Sequence, residues 1–346
     1  MLMVVFGAGA SYDSFADAPP GVQVIGELPH QVMIDGRPPL ASQLFSLRFA
    51  DDIAQFPECK NVITYLRGTG VNVEAELERL QTESMNFPDG AKQLAAIRYY
   101  LQFMLTGCQI TWEGLTKGVN NYKTLLYVIS RRRASDRRVC LVTFNYDTLL
   151  DEALSTVGVK ISRMTDYIAY DYKLIKLHGS TNWGREIQNR VNDLDHRSTW
   201  DVVNELTNRA RELIPGQTYT ITAQRPIAFT QNSPRTPLIP ALAIPVENKQ
   251  EYVCPTDHVE TMKESLPQVT KLLVIGWRAA DRIFLQELSK GIPAGTPAMV
   301  VCGNPESSSQ IANIISAAGV RSRFTPASGG FSHIIRSRDV NTFLNG

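Results

Sequence analysis

The sequence predicts an α/β fold: a Rossmann-like, doubly wound parallel sheet with a helical insertion subdomain. Three observations predict it. Several short runs are apolar throughout, as strands buried on both faces are. Helical patterns follow most of these runs after short connections. Glycines or polar residues stand where the runs end, and that edge of an open α/β sheet is where ligands bind.

The first run is "LMVVFG", Leu2–Gly7, and it passes directly into Gly7-Ala8-Gly9-Ala10-Ser11. Glycines there let the backbone approach a ligand, and a following helix N-terminus presents free N–H groups to an anion. The third glycine of G-x-G-x-x-G is absent, because position 12 is Tyr12. Taken alone, the turn divides evenly between a nucleotide-binding loop and a plain bend. The stretch from Ser14 to Pro39 is rich in Pro and Gly and reads as a loop, a candidate cover for the turn.

Residues 36–135 read as the helical insertion, with the sheet domain formed by 1–35 and 136–346. Pro39–Phe56, Glu74–Met85, Ala91–Leu105 and Asn120–Arg133 each carry apolar residues at helical spacing. The basic run "RRRASDRR", Arg131–Arg138, reads as the solvated end of the last of these helices.

The second run, Val139–Asn145, ends in Thr143-Phe144-Asn145-Tyr146-Asp147, and a helical pattern follows over Asp147–Thr156. An N-cap role accounts for Asp147. It does not account for Asn145, a polar residue at the ligand-binding edge. The third run, Lys173–Gly179, ends in His178-Gly179. A lone histidine is more often structural, but this one stands at the same edge, beside a glycine that leaves room for a ligand. Histidine can act as a base near neutral pH. His30, His196, His258 and His333 have no such setting.

Pro226, Pro234, Pro237, Pro240, Pro245 and Pro255 preclude regular central strands between Arg225 and Pro255. Two more runs follow, Lys271–Trp277 and Pro297–Gly303, then a weaker one, Gly319–Phe324. Helices are expected at Asp281–Lys290 and Ser307–Ala318. Gly276-Trp277-Arg278 and Gly303-Asn304 occupy the run ends. Asp281 and Asn304 are candidates for holding ribose hydroxyls; their plainer readings are a helix N-cap and a turn. Five such signals at five run ends weigh more than any one.

Composition narrows the function classes. The chain has 346 residues, 43% of them hydrophobic and 20% charged, an ordinary globular balance. Lys+Arg number 35 and Asp+Glu 34, so there is no global electrostatic case for nucleic acid or an anionic membrane. Cys59, Cys108, Cys140, Cys254 and Cys302 are widely spaced. Reduced thiols in a cytoplasmic protein are expected, with neither disulfides nor a cysteine zinc site. No signal peptide and no membrane span are expected.

Together the motifs resemble the sirtuin superfamily. Sirtuins carry Gly-Ala-Gly-x-Ser, Thr-Gln-Asn-x-Asp and Leu-His-Gly in this order. The chain has Gly7-Ala8-Gly9-Ala10-Ser11, Thr143-Phe144-Asn145-Tyr146-Asp147 and Leu177-His178-Gly179. The later Gly-Thr-Ser and Asn motifs are matched loosely by Gly276-Trp277-Arg278 and Gly303-Asn304. The resemblance covers the α/β part and not the helical insertion. There are departures: the four-cysteine zinc ribbon and the Phe-Gly-Glu segment of deacylating sirtuins are missing, and Phe144 replaces Gln. With its Phe-Asn-Tyr-Asp and Lys-Leu-His-Gly-Ser-x-x-Trp strings, the chain is more similar to sirtuin-like domains of bacterial anti-phage defence.

That resemblance implies an NAD+ glycohydrolase that depletes NAD+, with NAD+ as substrate and no zinc. It implies homo-oligomers and a separately encoded partner, such as a translocase-type ATPase or a short Argonaute. No direct nucleic acid binding and no membrane are expected. It implies that Gly7–Ser11 holds the pyrophosphate and Asp147 the nicotinamide carboxamide. Asn145 would orient water or ribose hydroxyls, and His178 would act as general base. Asp281 and Asn304 would face the adenosine ribose. The rival readings are a protein deacylase and a module that senses NAD+ or ADP-ribose without turnover.

Overall fold

The computed structural model describes residues 1–15, 36–68, 71–84, 87–132, 136–188, 191, 194–231, 234–246 and 251–346. Most of the expected cover, residues 16–35, therefore lies outside the described residues, as does the middle of the basic run.

Two compact units are formed. The first holds Met1–Pro39, Gln109–Leu177 and Thr256–Gly346; the second holds Leu40–Cys108 and His178–Pro255. The second unit thus joins most of the expected insertion to a segment that the sequence assigns to the sheet domain.

The first unit is built on six parallel strands: β1 (Leu2–Phe6), β2 (Val139–Thr143), β3 (Tyr172–Lys176), β7 (Lys271–Ile275), β8 (Pro297–Val301) and β9 (Arg323–Ala327). Their order is β3-β2-β1-β7-β8-β9, and every pairing is parallel. β1 and β2 are buried along their whole length, which explains their uninterrupted apolar runs. Each such side chain taken from water contributes roughly 1.5–3 kcal/mol. Counted within this sheet the order is 3-2-1-4-5-6. The direction of winding reverses at β1, and the crevice over β1 and its neighbours is where this topology receives ligands.

The helices that matter to that edge are α1 (Ala8–Tyr12), α2 (Pro88–Thr116), α3 (Asn121–Ser130) and α4 (Leu149–Ala153), with α5 (Arg282–Gly291), α6 (Pro305–Ala317) and α7 (Gly330–Ser337) later in the chain. The boundary between the units falls within α2. Helix α4 is shorter than its sequence pattern, and Thr148 stands at its N-cap in place of Asp147. Strand β9 lies four residues beyond the start of the expected weak run, and its pattern is largely exposed. Arg132 departs from the solvated reading. It is buried, and its guanidinium donates to the carbonyls of Ile129, Asp136 and Arg138.

The second unit contains a three-stranded antiparallel sheet that the sequence reading lacked, in the order β5 (Pro215–Ile221), β4 (Gly179–Ile187), β6 (Leu238–Leu242). Pro240 sits inside β6, and this is tolerated because β6 is an edge strand. Among the described residues, no helix is long and apolar enough to cross a membrane.

Candidate functional site

The turn after β1 is shaped first by the turn after β7. Gly7 N donates to Ile275 O and Gly9 N to Gly276 O, each at 3.1 Å. A Cβ on Gly7 would lie 2.5 Å from Trp277 Cα, and one on Gly9 would lie 2.9 Å from Gly276 Cα. Gly276 has φ +62°, and a Cβ there would strike Ala10 N and Gly9 C. These glycines are required by the close approach of two backbones, whatever ligand the turn also meets.

The end of β2 is tied to the same turn. Phe144 N donates to Phe6 O at 3.0 Å. The Phe144 ring stacks on the Trp277 indole, with centroids 5.1 Å apart and planes 4° apart, and Phe284 meets both edge-on. Both Phe144 and Trp277 are buried, so each rigidifies the edge by packing on the other.

Asn145 follows, and its side chain is the centre of the site. Nδ2 lies 3.0 Å from Gly7 O, 2.8 Å from Ser11 Oγ and 3.1 Å from Tyr122 OH. Ser11 Oγ and Tyr122 OH are 2.9 Å apart. Thr143 Oγ1 accepts from Asn145 N at 3.1 Å. Asn145 is only 7% exposed, and its Oδ1 is buried with no hydrogen-bond partner among the described residues. The Gly7 carbonyl can only accept, so it fixes the amide with nitrogen inward and leaves Oδ1 as an open acceptor.

Asp147 completes the cluster. Its carboxyl accepts from Leu149 N at 3.2 Å. Burial pushes this carboxyl above the usual carboxylate range, while the Lys176 ammonium and the Ser11 hydroxyl pull it back. Burial, reinforced by the Asp147 charge, also drives the Tyr122 phenol well above its ordinary value. Tyr122 therefore keeps its proton at any ordinary pH and can serve as a donor.

Two further networks hold the loop that carries Asp147. Lys176, fully buried on β3, donates to Asp147 O at 2.5 Å and to Asp151 Oδ2 at 2.8 Å; Tyr167 OH donates to Asp151 Oδ1 at 2.5 Å. On the other side, Gln109 Oε1 accepts from Thr148 N at 2.8 Å, and its Nε2 lies 2.5 Å from Thr148 Oγ1.

The structure brings Gly7, Ser11, Asn145 and Asp147 together. It gives Asp281 the expected helix N-cap, and Asn304 a helix N-cap where a turn was expected. Asp281 Oδ1 accepts from Phe284 N at 2.9 Å and caps α5; Asn304 Oδ1 accepts from Ser307 N at 2.7 Å and caps α6. Gly303 has open space where a Cβ would be, and its carbonyl accepts from Gly329 N. Ala8 and Ala10 lie in α1, and Ala10 N donates to Gly7 O at 2.8 Å.

Leu177 N donates to Thr143 O at 3.2 Å, so the chain leaves the parallel sheet at a fixed point, and His178 comes next. In the second unit, His178 is 9% exposed and its carbonyl accepts from Ala243 N at 2.9 Å. Gly179 has φ +80°, and a Cβ there would strike Ala241 O. That glycine serves the approach of β6 to β4, and the expected room for a ligand is not its reason.

Sequence reasoning missed Tyr122, Lys176 and Gln109. Lys176 had a signal: a charge inside a buried apolar run demands a partner. Tyr122 and Gln109 sit in ordinary helical patterns and had none. Burial pushes the Cys59 and Cys140 thiols up to about 12 and Cys108 to about 11, so none of these is a nucleophile near neutral pH. Among the described residues, no three His, Cys, Asp or Glu side chains converge as a metal site.

No family model and no curated protein matches the chain. Among solved structures it is similar to a mutant Sir2 homologue in complex with 2′-O-acetyl ADP-ribose, at 13% identity and TM-score 0.43, over 99% of this chain and 92% of that one. It is also similar to a Sir2 homologue–NAD complex, at 13% identity and TM-score 0.37, over 98% and 90% of the two chains. A further Sir2 enzyme structure matches at 10% identity and TM-score 0.39, over 99% and 91%.

Proposed function

We propose that the chain is an NAD+ glycohydrolase acting at the carboxyl ends of β1 and β2. The observation that carries this reading is the pinned amide of Asn145: among the described residues its Oδ1 is a buried acceptor with no partner, two positions before the half-buried Asp147. Such an acceptor is costly unless something donates to it, and a ribose hydroxyl or a water is the donor that fits. The sirtuin-like motifs supply the identity of the nucleotide.

In the proposed reaction the bond between the ribose carbon and the nicotinamide nitrogen breaks, and its electron pair leaves with nicotinamide. The oxocarbenium-like ribosyl cation is captured by water, which gives ADP-ribose and releases one proton. The Gly7–Ser11 turn holds the pyrophosphate, as the sirtuin-like motif implies, through groups other than the Gly7, Gly9 and Ala10 N–H, which are engaged by Ile275 O, Gly276 O and Gly7 O. Asp147 accepts from the nicotinamide carboxamide, a role that its raised but opposed ionisation suits. Asn145 Oδ1 orients the ribose hydroxyl or the water. His178 takes the proton, on the strength of its place two residues beyond β3 and of its chemistry. Holding these groups in place supplies several orders of magnitude in rate. Asp281 and Asn304 are left to their caps.

The role in the cell that goes with this chemistry is NAD+ depletion in anti-phage defence, in a homo-oligomer restrained by a separately encoded partner. The test is nicotinamide release from NAD+ by the purified chain across protein concentrations. Asn145→Ala and His178→Ala are each expected to abolish release while remaining folded. Full activity in either variant overturns its assignment. Release only with an acyl-lysine peptide means a deacylase, and NAD+ binding without release means a sensor.

A further inference from the structure

We propose that Tyr122 is a positioning residue for Asn145, holding in one place the amide that Gly7 O orients; the kinetic part of this inference rests on the function proposed above. Asn145 Nδ2 carries two protons and faces three oxygens: Gly7 O, Ser11 Oγ and Tyr122 OH. Ser11 Oγ and Tyr122 OH lie 2.9 Å apart, and either can donate to the other. The phenol oxygen, the Ser11 hydroxyl and the Gly7 carbonyl surround the amide nitrogen, while Oδ1, on the other arm of the amide, has no partner among the described residues.

The placement of Tyr122 is built in. The ring is 1% exposed and is met edge-on by Phe6 at 5.2 Å and Phe331 at 5.4 Å, so the hydroxyl cannot swing. Helix α3 begins at a side-chain cap, where Asn120 Oδ1 accepts from Lys123 N at 2.9 Å. The next residue ties that helix to the end of α1: Asn121 N donates to Ser14 O at 2.6 Å, and Asn121 Nδ2 donates to Asp13 O at 2.7 Å. Tyr122 and Ser11 thus ride on two helix ends that are fastened together. Removing the phenol oxygen, and nothing else, leaves Asn145 with one acceptor fewer and Ser11 with one hydrogen-bond partner fewer.

The variant is Tyr122→Phe, which keeps the ring and its packing. The first measurement is the side-chain amide signal pair of Asn145 in protein labelled with 15N-asparagine, identified by its loss in Asn145→Ala. Wild type is expected to give one sharp pair, and Tyr122→Phe a broadened or doubled one. An unchanged pair overturns the proposal whether or not the chain is an enzyme. The second measurement is nicotinamide release per folded molecule. The kcat of Tyr122→Phe is expected to fall about tenfold, the worth of one hydrogen bond held in the reacting geometry, with KM within twofold. An active wild type with kcat unchanged in the variant overturns the proposal. An inactive wild type overturns the function proposed above and leaves the amide signals to decide the role of Tyr122.

Discussion

Asn145 Nδ2 donates to the carbonyl oxygen of Gly7 across 3.0 Å and ties the end of β2 to the turn after β1. Asn145→Asp keeps the shape and removes the donor. It also sets a carboxylate oxygen against a carbonyl in a position that is 7% exposed. The variant is expected to lose about 2–4 kcal/mol of stability in urea unfolding, from an unmade hydrogen bond and a poorly solvated charge. It should also lose NAD+ turnover. An unfolding midpoint equal to wild type would mean that the contact contributes nothing.

Asp147 is a function-against-stability prediction. Burial raises its folded pKa above the ordinary 3.8, and Lys176 and Ser11 only oppose this in part. A raised carboxyl contributes stability that is present below the unfolded pKa and is lost as pH rises through the folded one. Asp147→Asn should therefore be at least as stable as wild type at pH 7 while turnover falls about a hundredfold. Ser11→Ala removes a donor to the carboxylate, so the acid limb of the kcat/KM profile should move to higher pH. An unmoved limb would remove Ser11 from the account of Asp147.

The ion pair below the site gives a stability test. Lys176 and Asp151 are 0% and 7% exposed at the side chain. Among the described residues, Lys176→Met leaves the buried Asp151 carboxylate with Tyr167 alone to answer it, and it removes the ammonium that holds Asp147 O. A loss of about 3–5 kcal/mol is expected. The double variant Lys176→Met, Asp151→Leu should recover much of it. If the double variant is no more stable than the single one, the cost lies in packing and not in the orphaned charge.

What the sequence made legible was whatever depends on neighbours along the chain. The parallel strands showed as apolar runs because they are buried on both faces. Ser11, Asn145 and Asp147 showed because polar residues at strand ends have a limited set of reasons to be there. Tyr122 did not show: it meets Asn145 across 23 residues of chain, and "NYKTLLYVIS" reads as an amphipathic helix whatever its hydroxyl touches. Strand β4, "GSTNWGREI", is mostly buried without alternating cleanly, and its partner β6 hides a proline that only an edge strand admits. Asp281 and Asn304 showed for the same reason, and the caps they form leave their ribose reading undecided, since a cap and a ribose ligand ask for the same side chain at the same place.

The glycines make a paired prediction. Gly276→Ala places a Cβ against the backbone of Gly9 and Ala10 at φ +62°, where neither side can give way. The turn after β1 must then move, and a loss of about 3 kcal/mol or more is expected, together with NAD+ binding. Gly303→Ala, with open space at its Cβ, should be within about 0.5 kcal/mol of wild type. Equal losses in both would show that general sensitivity of the sheet edge, and not the close approach, sets the cost.

The last prediction concerns pH and the loop that carries Asp147. Gln109 Nε2 lies 2.9 Å from Glu113 Oε1 and 3.0 Å from Glu152 Oε1, so two carboxyls meet on one amide. Partial burial, and after it the neighbouring Glu113, pushes the Glu152 carboxyl up to about 7. Its stability contribution is therefore present below the unfolded value of 4.5 and is lost as pH rises through about 7. Above that pH the two charges repel across the same glutamine that accepts from Thr148 N at 2.8 Å. Hydrogen exchange at the Thr148 amide, corrected for the intrinsic pH dependence, should quicken between pH 6 and pH 8. Glu113→Gln removes one charge and keeps an acceptor for Gln109, so it should flatten that rise. It should also stabilise the chain at pH 8 by about 0.5 kcal/mol, a small figure because Glu152 keeps solvent contact and the repulsion is screened. Exchange that quickens equally in Glu113→Gln would break the link between this carboxyl pair and the Asn145–Thr148 loop.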